Sequence, residues 1–226
     1  MSAHYKALAR RTKPGVIPVF PLGGAVLMPV CDLPLNIFEP RYLNMIDDAL
    51  KGERLIGMVQ THDDGSLAEV GGLGRIIQFS ETDDGRYLIV PKGLKRFRIT
   101  GLKEASTPYR QAEVSFDGFE EDADLHAARQ TSEALSESGR SDRAALTVAM
   151  KALAKAVGVE VDWKALSDIP LPVLVNQAAM ISPFSSPDKQ SLLEAPTSDE
   201  RRRLLIGLMH LYASGGMGDT PDQPTQ

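Results

Sequence analysis

The hydrophobic pattern of the chain changes period once. From about Val16 to Val114 the apolar residues come in short runs broken by Gly, Pro and Asp, which is the mark of many short strands. From about Glu120 they recur at helical spacing. Val16–Phe20 predicts a strand, and Pro18 within it points to a sheet edge. Gly23-Gly24 allows a bend, after which Ala25–Met28 and Pro34–Phe38 predict further extended pieces. Pro40 opens a helix and Gly52 closes it, with Tyr42, Met45, Ile46, Ala49 and Leu50 on one stripe. Leu55–Gln60 and Ala68–Phe79 predict strands. The glycines at 71, 72 and 74 in the second imply a bulge or a close packing contact. Asp83-Asp84-Gly85 is a hairpin turn followed by a strand at Tyr87–Val90. Lys95–Ile99 alternates polar and apolar residues, as a half-exposed strand does, and Tyr109–Phe116 ends the strand-rich part.

The second part predicts helices over Asp122–Leu135, Asp142–Val157 (ended by Gly158), Ile169–Ile181, Ser186–Leu193 and from Thr197 to about Ala213. Ile169–Ile181 is apolar enough to be the central, most buried helix. Thr197-Ser198-Asp199-Glu200 has the spacing of a capping box, hydroxyl and carboxylate each answering a backbone N–H. Residues 1–14 read as a flexible basic tail and residues 214–226 as a disordered one with little to bury. The organisation is therefore α+β, with a β-rich unit over 15–117 and a helical bundle over 118–213. One helix inserted early among many short strands favours a partly closed barrel over a βαβ sheet.

Composition adds exclusions. The chain has 226 residues, 42% of them hydrophobic and 24% charged, with a net charge of −5. These are globular values, and the acidic balance disfavours nucleic acid as a partner. The basic, apolar start imitates a secretory signal, but Pro18, Pro21, Pro29 and Gly23-Gly24 interrupt its apolar segment. No stretch reaches the ~20 apolar residues of a membrane span. A single cysteine, Cys31, rules out an internal disulfide and fits a cytoplasmic setting. The phosphate-loop, dinucleotide, nucleophile-elbow and His-Glu zinc motifs are all missing, and the four histidines are scattered. No reaction, cofactor or metal is therefore expected.

Three charged features remain. Lys92, Lys95, Arg96 and Arg98 form a basic face, either a guarded strand edge or a surface for an acidic ligand. The acidic run from Glu120 to Asp124 reads as a solvated linker entering a helix. Arg201-Arg202-Arg203 reads as a water-facing stretch of an amphipathic helix.

The order of several segments resembles the N-terminal domain of the Lon proteases. The segments are Ile17–Leu22, Val26–Pro29, Leu33–Tyr42, Glu69–Ile76, Val90–Ile99, Asp188–Glu194 and Asp199–Leu205. The resemblance runs from about Val16 to His210. It implies a PUA-like, partly closed β-barrel followed by a helical bundle, and a role in recognising unfolded or tagged polypeptide. It also implies a stand-alone bacterial substrate-binding domain without the ATPase and peptidase modules. Unfolded or hydrophobic polypeptide is the expected partner. The prolines between Val16 and Pro40 confine that apolar stretch to short pieces at sheet edges, where free carbonyls lie beside hydrophobic side chains. Pro21, Leu22, Met28, Leu35, Phe38 and Tyr42 are the candidate peptide contacts, each weighed against a plain core role. The alternative is a PUA-like module that binds RNA or a small ligand through Lys92, Lys95, Arg96 and Arg98.

Overall fold

A computed structural model describes residues 2–128 and 137–215. The strands among them are β1 (Val16–Pro21), β2 (Leu35–Ile37), β3 (Leu55–Val59), β4 (Val70–Glu81), β5 (Tyr87–Lys103) and β6 (Gln111–Ser115). The helices are α1 (Ser2–Arg11), α2 (Pro40–Lys51), α3 (Asp122–Ala128), α4 (Glu137–Val157), α5 (Trp163–Ser167), α6 (Leu171–Ile181), α7 (Ser186–Glu194) and α8 (Ser198–Ala213).

The strands form one sheet in the order β2-β5-β4-β3-β1-β6, and β6 returns to pair with β5. The long β5 makes this possible. Its first half pairs with β2 and β4, and its second half passes from β4 to β6 across a register shift between Ile99 and Gly101. The sheet is thus curled into a partial ring, with β2 outside the ring at an edge. β1 and β3 are parallel, and the connection between them carries β2 and α2. Two apolar clusters follow from the curl. Ile17, Val19, Leu73, Leu94, Phe97 and Ala112 belong to one. In the other, Tyr42, Met45, Ile46 and Ala49 of α2 meet Phe20, Ile37, Ile56, Ile76 and Ile89 of the sheet.

Leu8 and Ala9 of α1 and Ala123 of α3 join the first cluster, whereas helices α4 to α8 share a third, which reaches the strand half through Val26, Met28, Cys31 and Val70. Helix α6 is set deep in it, with Val173, Leu174, Val175, Asn176, Ala178 and Ala179 all buried, but the central element is α8, which packs against α4, α6 and α7. The capping box of α8 is formed in full, Thr197 and Glu200 each accepting from the other's backbone N–H. Gly158 ends α4 at φ +70°, a conformation glycine reaches without penalty.

Several expectations are corrected. Residues 1–14 do not form a loose tail. α1 buries Leu8 and Ala9, and Lys6 and Arg10 both pair with Asp124 on α3. Ala25–Met28 is not a strand but an irregular crossing over the sheet. Tyr87–Val90 and Lys95–Ile99 are one continuous strand. α4 is already helical at Glu137, ahead of Asp142, and α5, capped by the Asp162 carboxylate, was not foreseen. Arg201 and Arg202 are buried. Arg201 donates to the Leu192 carbonyl and the Asn176 side-chain oxygen, and Arg202 pairs with Asp142 and Asp199. Of the helix expected over Asp122–Leu135, the part after Ala128 lies outside the described residues, as does the tail from 216 onward.

Candidate binding groove

β1 ends at Pro21, and the chain turns through Gly24 at φ +77°. It crosses the sheet at Leu27–Pro29 and comes back as β2. That route leaves a groove of about 680 Å³ between the end of β1 and the edge strand β2, lined in part by Phe20, Pro21, Leu22, Leu35, Phe38 and Tyr42. The prolines shape it: Pro21 closes β1, and Pro34 enters β2 without an N–H to leave unpaired.

Five of the six candidate contacts, Pro21, Leu22, Leu35, Phe38 and Tyr42, line this groove. Their exposure differs. Pro21, Leu22 and Leu35 are half-buried, and Phe38 is 41% exposed with the Arg86 guanidinium 5.9 Å from its ring centre. Tyr42 is largely buried. Its ring lies 4.5 Å from that of Phe20 and under the Arg41 guanidinium at 4.6 Å, and burial pushes its hydroxyl pKa up. Met28 is not at the groove. It is fully buried in the helix-side cluster, and its N–H donates to the Met180 sulfur at 3.5 Å. Phe20, which the sequence reading left out, is one of the groove's aromatic walls.

A second, more open cavity of about 530 Å³ lies against the same edge strand. Pro34, Leu35 and Asn36 of the β2 region line it together with Phe79, Leu88 and Val90. Phe79 and Leu88 are 42% and 46% exposed. β2 therefore stands as a ridge between the first groove, where apolar walls alternate with polar groups such as Asn36, Glu39, Thr61 and Asp63, and this largely apolar depression.

The expected basic face is not a face. Lys92, Lys95 and Arg96 are all buried, and of the four only Arg98 is exposed, paired with Glu69 at 3.0 Å. Each buried cation has a local reason. Lys92 pairs with Asp32. The Lys95 ammonium sits 4.1 Å from the Phe116 ring centre, and burial lowers its pKa to about 8. Arg96 grips Asp122 through Nε and Nη2 at 2.9 Å and donates from Nη1 to the carbonyls of Leu193 and Ala195. Asp122, read as part of a solvated linker, is thus a buried counter-ion.

Among the described residues no group of three or more His, Cys, Asp and Glu side chains is placed to hold a metal ion. No described helix is long and apolar enough to cross a membrane.

Comparison with known proteins adds a family. Residues 16–210 match the model of the ATP-dependent protease La (LON) substrate-binding domain. Lon protease of Anaeromyxobacter dehalogenans is 32% identical over 108 residues, which is 45% of this chain and 13% of that protein. Lon protease 1 of Bdellovibrio bacteriovorus is 26% identical over 209 residues, or 85% of this chain and 24% of that protein. The chain thus spans a quarter or less of the length of these curated relatives. Two solved structures share the fold, each with a TM-score of 0.61. One is a Lon N-terminal domain protein from Xanthomonas campestris, 22% identical, covering 85% of this chain and 97% of that one. The other is the N-terminal domain of a Mycobacterium avium complex Lon protease, 18% identical, covering 86% and 98%.

Proposed function

This chain belongs to the Lon substrate-binding domain family, and from that premise we propose that its groove beside β2 holds apolar segments of unfolded polypeptide. The module binds and releases, and no bond-making step is assigned to any of its residues. It serves as a recognition element of cytoplasmic protein quality control, adaptor-like in presenting clients to other machinery.

One observation carries this reading. Apolar residues that are scattered between Pro21 and Tyr42 in sequence meet along a single groove, and one of them, Phe38, is an aromatic side chain left 41% exposed. Large exposed aromatics beside a concave apolar surface are what binding hot spots are made of. The RNA or small-ligand alternative loses its supporting surface, because three of its four cations are internally used.

Fluorescence anisotropy with a labelled, permanently unfolded polypeptide tests the proposal. The wild-type protein binds it, and Phe38→Ala weakens binding about 10-fold, the equivalent of ~1.4 kcal/mol for losing an interface aromatic. Phe38 adds little to the core, so the variant keeps its thermal midpoint. Unchanged affinity in Phe38→Ala, or no binding by the wild type, refutes the assignment.

A further inference from the structure

Among the described residues, β2 ends the sheet and pairs with β5 alone. Its hydrogen-bonding phase can be worked out. The Leu33 N–H donates to the Pro91 carbonyl at 3.0 Å, and this pair lies in register with Leu35↔Ile89 and Ile37↔Tyr87. In an antiparallel ladder, positions alternate between exchanging bonds with the partner and turning both main-chain groups away from it. Residues 33, 35 and 37 therefore face β5. The N–H and C=O of Asn36 and the C=O of Pro34 face the open edge, between the two depressions that Pro34, Leu35 and Asn36 line together.

We propose that this edge takes a client segment as an added strand, bonded through the main chain to Asn36, with successive client side chains entering the two grooves in turn. This rests on the polypeptide-binding reading above and names the class of segment: extended, apolar on both faces, and basic at one end. Paired residues on neighbouring strands project to the same face. The client residue opposite Asn36 therefore joins Leu88, the register partner of Asn36, on the face of the more open cavity. Its two neighbours join Leu35 and Ile37, on the side of Phe20 and Tyr42.

Shape and hydrogen bonding select the client. An amphipathic helix spends its main-chain groups internally and cannot answer Asn36. A strand of alternating polar and apolar residues fills one groove only. A continuous apolar run, as in a strand that is buried on both faces when its own protein is folded, fills both. Charge selects the end. The formally charged residues among those lining the two depressions are Glu39 and Asp63. Glu39 is already paired with Arg41 at 2.8 Å, and Asp63 has no ion-pair partner among the described residues. A client Lys or Arg reaching Asp63 completes it, and a client carboxylate there is repelled.

An N-methyl scan tests this on the unaltered protein. The probe is a labelled peptide with one Lys, an uninterrupted run of Val, Ile and Phe, and a soluble Gly-Ser tail. A single backbone N-methyl group is placed at each position of the run in turn. Methylation at alternate positions lowers affinity about 10-fold, the loss of one intermolecular hydrogen bond with its geometry, and the intervening positions stay within about 2-fold. In the protein, Asn36→Pro, which removes the outward N–H, reproduces the loss. A loss of similar size at every position, or equal binding of an amphipathic helical peptide, overturns strand addition and leaves polypeptide binding standing. Failure of every peptide to bind removes both.

Discussion

Arg96 shows how far one residue can depart from its local pattern. It lies on β5 in a run that alternates polar and apolar, yet it is 2% exposed. Its guanidinium holds Asp122 of α3 and the carbonyls of Leu193 and Ala195 at the end of α7, and it lies 4.5 Å from the Phe119 ring centre. The strand half and the helical half are joined at this side chain. Burying such a pair is favourable only because its polar atoms are satisfied together, so removing one partner leaves the other stranded. Arg96→Ala is therefore expected to cost about 3–5 kcal/mol in urea denaturation. Arg96→Met combined with Asp122→Leu recovers most of that loss. A cost below about 1 kcal/mol for the single change contradicts the role given to this residue. The sequence does not disclose the pairing, because Asp122 is 26 residues away and looks like any other member of an acidic run.

At the scale of elements, the groove depends on a crossing of two backbones. The chain at Leu27–Pro29 lies directly on β4 and β5, where Gly72 and Gly93 leave no side chain in the way. A Cβ at Gly72 would meet the Leu27 carbonyl oxygen at 2.0 Å, and one at Gly93 would meet that of Met28 at the same distance. Asn176 of α6 holds the same segment by donating to the Pro29 carbonyl at 3.1 Å. Gly72→Ala must push backbone against backbone and is expected to lower stability by about 3 kcal/mol. Gly101→Ala, whose nearest obstacle is the tip of the Glu113 side chain at 3.5 Å, stays within about 1 kcal/mol of the wild type. Equal losses in the two variants by thermal denaturation contradict this. Gly71, Gly72 and Gly74 were legible in sequence as a bulge or close contact, and both occur: β4 shifts register against β5 between Leu73 and Gly74, and Leu27 packs on Gly72. The start of α2 and the capping box of α8 were legible because Pro40, Thr197 and Glu200 act within one helical turn. Ala25–Met28 was misread because an apolar run shows that a segment is buried, not that it joins a ladder. α1 was missed because what holds it, Asp124 and the apolar contacts of Leu8 and Ala9, lies far along the chain.

On the scale of the whole molecule, a partly ringed sheet carries an edge strand outside its ring, with α2 beneath it and a helical cluster pinning the loop that forms the opposite wall. The position of the groove was partly legible. Prolines spaced through an apolar stretch marked edges and turns, and five of the six residues picked from that stretch meet there. Met28 was not separable from them, because its burial follows from the helical cluster rather than from its neighbours in sequence. Amide chemical-shift mapping of the ¹⁵N-labelled protein, titrated with an extended apolar peptide, puts the binding assignment to the test. Binding in the groove concentrates the perturbations at Phe20, Leu22, Leu35–Phe38 and Tyr42 and leaves the outer face of α4 and α8 unmoved. Perturbations centred on those helices, or none along β2 at saturating peptide, would contradict the proposal that the groove binds polypeptide.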